Sequence, residues 1–240
     1  PLALTGTAIA SSSSTFGDSL EPGAVSFTNI VGLDDVSASA SVDTSATTAS
    51  GHAIVGTYTQ TSTSATLAGT DSGNYTYTGF STASQNYTIN QRPLTITADN
   101  QSRIYGNSFS FDGTEFSISG LATGEGVSTA NLSSTATDVN VDAGDYTISA
   151  DTVTAGTGGF ASSNYDITFV DGTFTVNQRD LVITAADQSK DYGDAFSFAG
   201  NEFSIAASDT DTGLILGETI TSATLTSDAT PTTADAGEYA

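Results

Sequence analysis

The chain has 240 residues, with 27 Asp and Glu against four Lys and Arg, which gives a formal net charge of −23. Nucleic acids and anionic membranes bind proteins through Lys and Arg, so this charge excludes both as partners. The absence of Cys excludes disulfides, thiolate metal sites and thiolate nucleophiles. No run approaches the roughly 18 apolar residues that span a bilayer. No signal peptide is visible either, so we expect an internal piece or a mature region.

Internal repeats organise the chain. The stretch RPLTITADNQSRIYGNSFSF from Arg92 recurs as RDLVITAADQSKDYGDAFSF from Arg179, an offset of 87 residues. A more divergent copy precedes both of them. This periodicity predicts three domains, at 1–91, 92–178 and 179–240.

The elements within each repeat carry strand signals in chain order. LTITA from Leu94 and LVITA from Leu181 alternate large apolar residues with Thr, which predicts half-buried strands. FSFDGTEFSIS from Phe109 predicts two short strands around an Asp-Gly turn. YDITFVDGTFTVN from Tyr165 predicts a hairpin around a second Asp-Gly turn. Six or seven short strands per repeat predict an all-β chain of small β-sandwich or β-grasp-like domains.

The repeats abut without a flexible linker. The closing strand of the second repeat ends at Asn177-Gln178, and the next repeat opens at once with Arg179. Junctions this short predict that neighbouring repeats contact each other in a semi-rigid, elongated string. The third repeat is incomplete at its C-terminal side, because no Asn-Tyr segment and no closing strand follow Arg179. Either more chain or another molecule would complete it.

The order of these motifs also resembles a known family. L-x-I-T-A-x-x-Q-S-x-x-Y-G from Leu94 is followed by D-A-G-D-Y from Asp142, by N-Y-D-I-T-F from Asn164 and by D-G-T-F-T-V from Asp171. This combination resembles the YDG and MBG repeat families, which occur in tandem in very large bacterial surface proteins, including filamentous-haemagglutinin-like and other giant adhesins. The resemblance implies display outside the cell, in adhesion or biofilm formation, with the repeats acting mainly as spacers.

The Tyr-Gly pairs are the first candidates for chemistry. An exposed Tyr105 or Tyr192 could stack on a sugar. The structural alternative is that the ring packs on its own domain while Gly106 or Gly193 provides a positive φ in a turn. Phe16 stands at the same place in the first repeat, which indicates that the ring matters more than the hydroxyl. We therefore expect the structural role.

Metal and acid–base sites receive little support. Asp138, Asp142 and Asp145 lie within eight residues and are the candidates for calcium, but they do not form a D-x-D-x-D-G loop. His52 is the single histidine, which argues against a Ser-His-Asp triad or a histidine zinc site. The lone Lys190 makes a periodic Lys–Asn cross-link impossible. We expect no catalytic residue, no required cofactor and no enzymatic activity.

Three functional hypotheses follow. The first is a structural stalk of a bacterial surface adhesin or extracellular matrix fibre, whose partners are neighbouring repeats of the same chain and other copies in a fibre. The second is a glycan-binding module in the first repeat, which would use an exposed aromatic cluster drawn from Tyr58, Tyr75, Tyr77 and Tyr87. The third is a filament subunit in which the incomplete third repeat accepts a strand from another molecule.

Overall fold

The structure is a computed structural model that describes residues 1–215 and 217–239. Strands hold 35% of the residues, and the helical content is 5%, all of it in short 3₁₀ turns. The predicted all-β class is confirmed. Across those two ranges, no helix has the length and apolar character needed to cross a membrane.

The strands are short and follow the three repeats. The first repeat contains β1 Leu2–Ala3, β2 Ala8–Ile9, β3 Ser12–Thr15, β4 Val25–Ser26, β5 Ser41–Val42, β6 Gly56–Tyr58, β7 Gln60–Ser62, β8 Tyr75–Thr76, β9 Phe80–Ser81 and β10 Tyr87–Asn90. The second contains β11 Arg92–Ala98, β12 Gln101–Ile104, β13 Phe116–Ser119, β14 Val127–Ser133, β15 Gly144–Ala155, β16 Tyr165–Val170 and β17 Gly172–Asn177. The third contains β18 Ile183–Ala185 and β19 Phe203–Ile205. The 3₁₀ turns are Ser64–Thr66, Ser72–Asn74, Thr135–Thr137 and Ser162–Asn164.

The chain folds into two compact units that do not follow the repeat boundaries. The first unit contains Pro1–Asp99, Phe111–Ser133 and Ile148–Gly172. The second contains Asn100–Ser110, Ser134–Thr147 and the residues from Thr173 onward. The residues that join the first repeat to the second therefore lie in the first unit. Those that join the second repeat to the third lie in the second unit.

In the first unit, the opening strands of the first and second repeats each lie parallel to a later strand of the same repeat. That later strand begins with the tyrosine of an Asn-Tyr pair, Tyr75 or Tyr165. β1 pairs with β8, and β11 pairs with β16 from Arg92↔Tyr165 to Thr97↔Val170. β11 is also antiparallel to β13. Its alternate residues Leu94, Ile96 and Ala98 are at most 3% exposed, so the predicted half-buried strand is confirmed here.

A second parallel pair closes each of the first two repeats. In the first unit, β3 lies parallel to β10, which places Tyr87 and Ile89 in the core. In the second unit, β12 lies parallel to β17, and Phe174 and Val176 are buried. Further antiparallel pairs are β2–β4, β10–β6, β5–β7, β7–β9, β14–β15 and β18–β19.

The predicted hairpin at Tyr165 is wrong. β16 pairs with β11 and β17 pairs with β12, so the two strands enter different sheets. A two-residue hairpin of type I′ or II′ needs a positive φ, and neither Asp171 nor Gly172 has one. A Cβ at Gly172 would lie 2.5 Å from the carbonyl oxygen of Ala98. Glycine is therefore required at this corner by the close approach of another strand.

The predicted strand pair at Phe109 is half correct. Only Phe116–Ser119 forms a strand. Asp112 Oδ1 accepts a hydrogen bond from Thr114 N at 2.9 Å, and the Glu115 carboxylate accepts from Asp112 N and Gly113 N, both at 3.0 Å. Because side chains take up these backbone donors, the segment forms a local turn and no strand precedes it.

The predicted half-buried strand at Leu181 is also only partly correct. The strand is limited to Ile183–Ala185, and Leu181 and Ile183 are 38% and 42% exposed. The sequence after Arg179 contains no counterpart of β16.

Candidate functional site: the repeat junctions

Each repeat contains a tight turn at an aromatic residue followed by glycine. We call these pairs the ring–Gly motif: Phe16-Gly17, Tyr105-Gly106 and Tyr192-Gly193. The backbone N–H of the fourth residue donates to the carbonyl of the first at 3.0, 3.1 and 3.2 Å in Thr15–Asp18, Ile104–Asn107 and Asp191–Asp194 respectively. The glycines have φ values of +83° at Gly17, +85° at Gly106 and +94° at Gly193. A positive φ at the third residue is the requirement of a type II turn. The predicted conformational role of these glycines is therefore correct.

At the first junction, Arg92 of the second repeat reaches back to the turn of the first repeat. Its Nη1 donates to the carbonyl oxygen of Phe16 at 3.3 Å and to Asp18 Oδ1 at 2.8 Å. Its Nε donates to the carbonyl oxygen of Gly120, in its own repeat, at 2.8 Å. One guanidinium group therefore holds the turn of one repeat against a loop of the next.

The second junction repeats this arrangement. Arg179 Nη1 donates to the carbonyl oxygen of Tyr105 at 3.3 Å and to Asn107 Oδ1 at 3.3 Å, and Nε donates to the carbonyl oxygen of Gly213 at 2.8 Å. Further carbonyl acceptors of this guanidinium belong to Asp209, Thr210 and Thr212. The planar guanidinium suits several fixed acceptors at once, which a Lys ammonium does not. We call these two sets of contacts the arginine junctions.

Close packing at the glycines accompanies the hydrogen bonds. A Cβ at Gly17 would lie 2.8 Å from the Cβ of Ala122, and a Cβ at Gly106 would lie 2.3 Å from Cγ2 of Ile215. Both neighbours belong to the following repeat. The glycine thus serves the turn and the contact between repeats together.

The ring at the first junction is fully enclosed. Phe16 is 0% exposed and packs edge-on against His52 at 5.7 Å and against Tyr165 of the second repeat at 5.4 Å between ring centroids. His52 Nε2 lies 2.9 Å from the carbonyl oxygen of Thr123, also in the second repeat. The aromatic cluster is therefore shared by two repeats.

A buried tyrosine organises the loop that receives this ring. The Tyr165 hydroxyl accepts a hydrogen bond from Ala122 N at 3.1 Å and donates to Glu125 Oε2 at 2.6 Å. Burial, followed by the hydrogen bond to the Glu125 carboxylate, raises the pKa of Tyr165 to about 12. The hydroxyl therefore stays protonated and keeps donating throughout the neutral range.

At the second junction the ring itself carries the hydroxyl. Tyr105 donates to Glu218 Oε1 at 2.8 Å, and this hydrogen bond is the main cause of the raised pKa of Tyr105. Asn107 Nδ2 adds a bond to Asp211 Oδ1 at 2.8 Å. Phe16 has no hydroxyl, so this part of the contact differs between the two junctions.

The expectation that the ring packs on its own repeat is therefore incomplete. Phe16 and Tyr105 both contact the following repeat. His52, which we expected to be a structural or incidental residue, also contacts it. A signal was present in the sequence. Arg92 and Arg179 open two repeats at equivalent places, each following a repeat that carries a ring–Gly pair.

The structure does not bring the calcium candidates together as a ligand set. Asp138 Oδ1 accepts from Asn140 N at 3.0 Å, Asp145 Oδ1 accepts from Thr175 Oγ1 at 2.7 Å, and the carbonyl of Asp142 accepts from the Tyr146 hydroxyl at 2.9 Å. Among the residues that the structure describes, no group of three or more His, Asp or Glu is placed to hold a metal ion. The expectation that no cofactor is required, with these three aspartates as calcium candidates, stays untested.

Lys190 and its counterpart Arg103 hold equivalent loop carbonyls. Arg103 is 6% exposed and donates to the carbonyl oxygens of Ala136, at 2.7 Å, and Asp138, at 2.5 Å. Lys190 Nζ donates to the carbonyl oxygen of Pro231 at 3.0 Å. Pro231 occupies in the third repeat the position that Asp138 occupies in the second. In both repeats the cationic side chain therefore donates to the backbone carbonyl of that position.

The aromatic residues proposed for a glycan site are mostly core residues. Tyr75, Tyr77 and Tyr87 are 5%, 8% and 0% exposed. The hydroxyl of Tyr58 donates to the carbonyl of Ile54 at 2.6 Å. They form no exposed aromatic platform in the first repeat. In contrast, Tyr192 is 71% exposed.

Comparison with known families matches the repeat that both junctions share. Residues 94–175 match the MBG domain (YGX type). This match covers 82 of the 240 residues, about a third of the chain, and it confirms the MBG resemblance for the second repeat. The Tyr105-Gly106 pair lies within the matched residues, in the turn that Arg179 contacts.

The other comparisons add little. No curated protein matches the chain. A solved structure of a cell surface adhesin from Lactobacillus reuteri is similar, with 28% identity and a TM-score of 0.24, over 35% of this chain and 95% of that one.

Proposed function

We propose that the chain is a run of structural spacer repeats of a secreted bacterial surface adhesin or extracellular matrix fibre, and that it performs no catalysis. In this proposal each repeat is fixed to its neighbour by an arginine junction. Display at the cell surface, and a contribution to adhesion or biofilm formation, belong to the same proposal. The MBG match of residues 94–175 supports the family setting.

The observation that carries the proposal is the duplication of the arginine junction. The bond from Nη1 to the ring residue's carbonyl is 3.3 Å at both places, and the bond from Nε to the glycine carbonyl is 2.8 Å at both. A binding or catalytic site would be a single constellation. A contact that recurs with the repeat, and always joins one repeat to the next, is what a spacer needs.

Hydrogen exchange tests the coupling between repeats. Ile89 in the first repeat and Ile96 in the second are 1% and 0% exposed, so both amides report opening of the core. We expect the two amides to exchange with the same opening free energy in the native chain. In the Arg92→Ala variant their opening free energies should differ. Asp18→Asn, which keeps the carbonyl contacts, is the matched control and should leave them coupled. Independent opening in the native chain would reject the spacer proposal.

A glycan array probed with the full chain tests the binding-module alternative. Burial of Tyr75, Tyr77 and Tyr87 weighs against that alternative. We expect no saturable binding to any sugar class. Saturable micromolar binding that Tyr192→Ala abolishes would replace the spacer proposal with a binding role.

A further inference from the structure

One loop of the first repeat lies on the surface of the second repeat, inside the first compact unit. We call this segment, residues 48–55, the docking loop. Its backbone donates twice to the second repeat. Ser50 N donates to the carbonyl oxygen of Gly158 at 2.9 Å, and Val55 N donates to Asn164 Oδ1 at 3.2 Å. These contacts add to the arginine junction between the same two repeats.

Two side chains of the docking loop supply further donors. Ser50 Oγ donates to Glu125 Oε1 at 3.2 Å. His52 Nε2 lies 2.9 Å from the carbonyl oxygen of Thr123, and because a carbonyl oxygen only accepts, this nitrogen carries the proton. In these four contacts the docking loop supplies every donor and the second repeat supplies every acceptor.

The two side-chain acceptors are buried and already fixed by their own repeat. Glu125 and Asn164 are 8% and 4% exposed. The second carboxylate oxygen of Glu125 accepts from the Tyr165 hydroxyl at 2.6 Å, and Asn164 ends the 3₁₀ turn Ser162–Asn164. A buried acceptor without a donor is costly, so this surface of the second repeat requires a partner that donates.

The backbone of the docking loop also fits closely against the second repeat. A Cβ at Gly159, whose φ is +79°, would lie 2.7 Å from Ala49 N. A Cβ at Gly124 would lie 3.5 Å from the Cβ of Ser50, which is an ordinary contact distance. The surface therefore matches the docking loop in shape as well as in hydrogen-bonding groups.

The second repeat contains an equivalent loop with different chemistry. The Tyr58 and Tyr146 hydroxyls each donate to the carbonyl four residues earlier, at 2.6 and 2.9 Å, so these two tyrosines occupy equivalent positions. Counted back from them, Asp138 is the equivalent of Ser50. Asp138 places a carboxylate where the docking loop has a hydroxyl donor.

The first repeat also lacks the cation that holds this loop in the second repeat. Arg103 donates to the carbonyl oxygens of Ala136, at 2.7 Å, and Asp138, at 2.5 Å. Counted from the ring–Gly motif, Ser14 is the equivalent of Arg103. Ser14 Oγ is buried and has no hydrogen-bond partner among the residues that the structure describes. The docking loop is therefore held by the following repeat and not by a cation of its own repeat.

We propose that the docking loop determines which repeat can follow the first one. It fits an MBG-type repeat that presents a buried acidic acceptor at the position of Glu125 and an amide oxygen at that of Asn164. A loop with Asp at the position of Ser50 is rejected, because it would bring two carboxylates together in a buried site. This inference rests on the proposed function and names the neighbour that the first junction selects.

Ser50 variants of the full chain test the proposal by NMR. His52 is the single histidine, so its imidazole N–H signal is unambiguous, and the Val55 amide reports the other end of the docking loop. We expect both protons to exchange slowly in the native chain. Ser50→Ala, which loses the hydroxyl without adding charge, is the matched control. In Ser50→Asp both protons should exchange at least about tenfold faster than in Ser50→Ala, since an uncompensated charge in a buried site is strongly disfavoured.

Glu125→Gln is the compensating change. Its amide group donates to an aspartate at position 50, and its oxygen still accepts from the Tyr165 hydroxyl. We expect the double variant, Ser50→Asp with Glu125→Gln, to regain slow exchange at both protons. A loop without selectivity would show the sum of the two single effects and no rescue. The Ile89 amide, in a core residue that is 1% exposed, checks that every variant is folded.

Three results would overturn the proposal. They are fast exchange of both protons in the native chain, equal exchange in Ser50→Asp and Ser50→Ala, and a double variant that exchanges as fast as Ser50→Asp. The spacer proposal fails on a different observation, the independent opening of Ile89 and Ile96 in the native chain. The two failures are therefore distinguishable.

Discussion

Arg92 forms an ion pair with Asp18, with 2.8 Å between Nη1 and Oδ1, whereas the equivalent Arg179 meets the neutral amide oxygen of Asn107 at 3.3 Å. Both guanidinium groups also donate from Nη1 to the carbonyl of the ring residue and from Nε to a glycine carbonyl. The Asp18 side chain is 55% exposed, and exposed ion pairs contribute little to stability. The shared carbonyl contacts are therefore the important part of the junction.

This difference predicts unequal effects of two substitutions at one junction. Asp18→Asn should lower the free energy of unfolding by less than about 0.5 kcal/mol. Arg92→Ala should lower it by about 2 kcal/mol, because carbonyl acceptors lose a charged donor. Urea unfolding followed by circular dichroism measures both. Equal losses would mean that the ion pair, and not the carbonyl set, holds the junction.

The glycines of the turns provide a matched pair. Gly193→Ala should cost about 1–2 kcal/mol of unfolding free energy, the price of a positive φ in an alanine, because nothing lies within 4 Å of its Cβ position. Gly106→Ala carries the same backbone cost and also places Cβ 2.3 Å from Ile215. We expect Gly106→Ala to be clearly more destabilising in urea. Similar values for the two variants would show that Ile215 moves away freely.

Tyr165 predicts a loss of stability at high pH. Its pKa is raised from 10.0 to about 12, so between these values the folded chain keeps a proton that the unfolded chain has lost. The stabilisation is complete below pH 10 and declines as pH rises toward 12. The difference in unfolding free energy between the native chain and Tyr165→Phe should thus be constant from pH 7 to 10 and shrink from pH 10 to 11.5. Urea titrations at each pH measure it, and parallel pH profiles would contradict the assignment.

Arg103 and Lys190 predict a contrast between a buried and a half-buried cation. Arg103→Ala leaves buried carbonyls at Ala136 and Asp138 without their donor and should cost about 3 kcal/mol. Lys190→Ala removes a half-buried side chain from the carbonyls of Asp194 and Pro231 and should cost less than about 1 kcal/mol. Thermal unfolding of both variants gives the comparison. A large loss in Lys190→Ala would mean that its loop depends on the lysine as strongly as the other loop depends on Arg103.

Local patterns in the sequence predicted the strands better than their partners. The alternation of Leu94, Ile96 and Ala98 specified both the strand and its buried face, because a period of two is a local property. The Asp171-Gly172 pair predicted a hairpin, since that dipeptide usually turns a chain back on itself. The pairing of β16 with β11 depends on residues about 70 positions away, which no local pattern contains.

The site was visible in the sequence only in pieces. The positive φ of Gly106 follows from the Tyr-Gly motif and was predicted correctly. The contact of Arg179 with the Tyr105 carbonyl depends on how two repeats pack against each other. Aligning the repeat sequences shows which residues are equivalent, but it does not show which residues of neighbouring repeats are in contact. The sequence shows that Phe16 replaces Tyr at the position equivalent to Tyr105, and from this we inferred only that the ring is retained. The sequence does not show that the Tyr105 hydroxyl forms a hydrogen bond with the following repeat, which Phe16 cannot form.

The parallel pairing of β12 with β17, and of β3 with β10, has a mechanical consequence. In each pair a strand near the start of a repeat lies beside the strand that ends it, in four successive pairs from Gln101↔Phe174 to Ile104↔Asn177 and from Ser12↔Tyr87 to Thr15↔Asn90. Tension applied to the two ends of a repeat runs along such strands in opposite directions. Such tension loads all the hydrogen bonds between the two parallel strands in shear. These bonds must therefore break together and cannot break one after another.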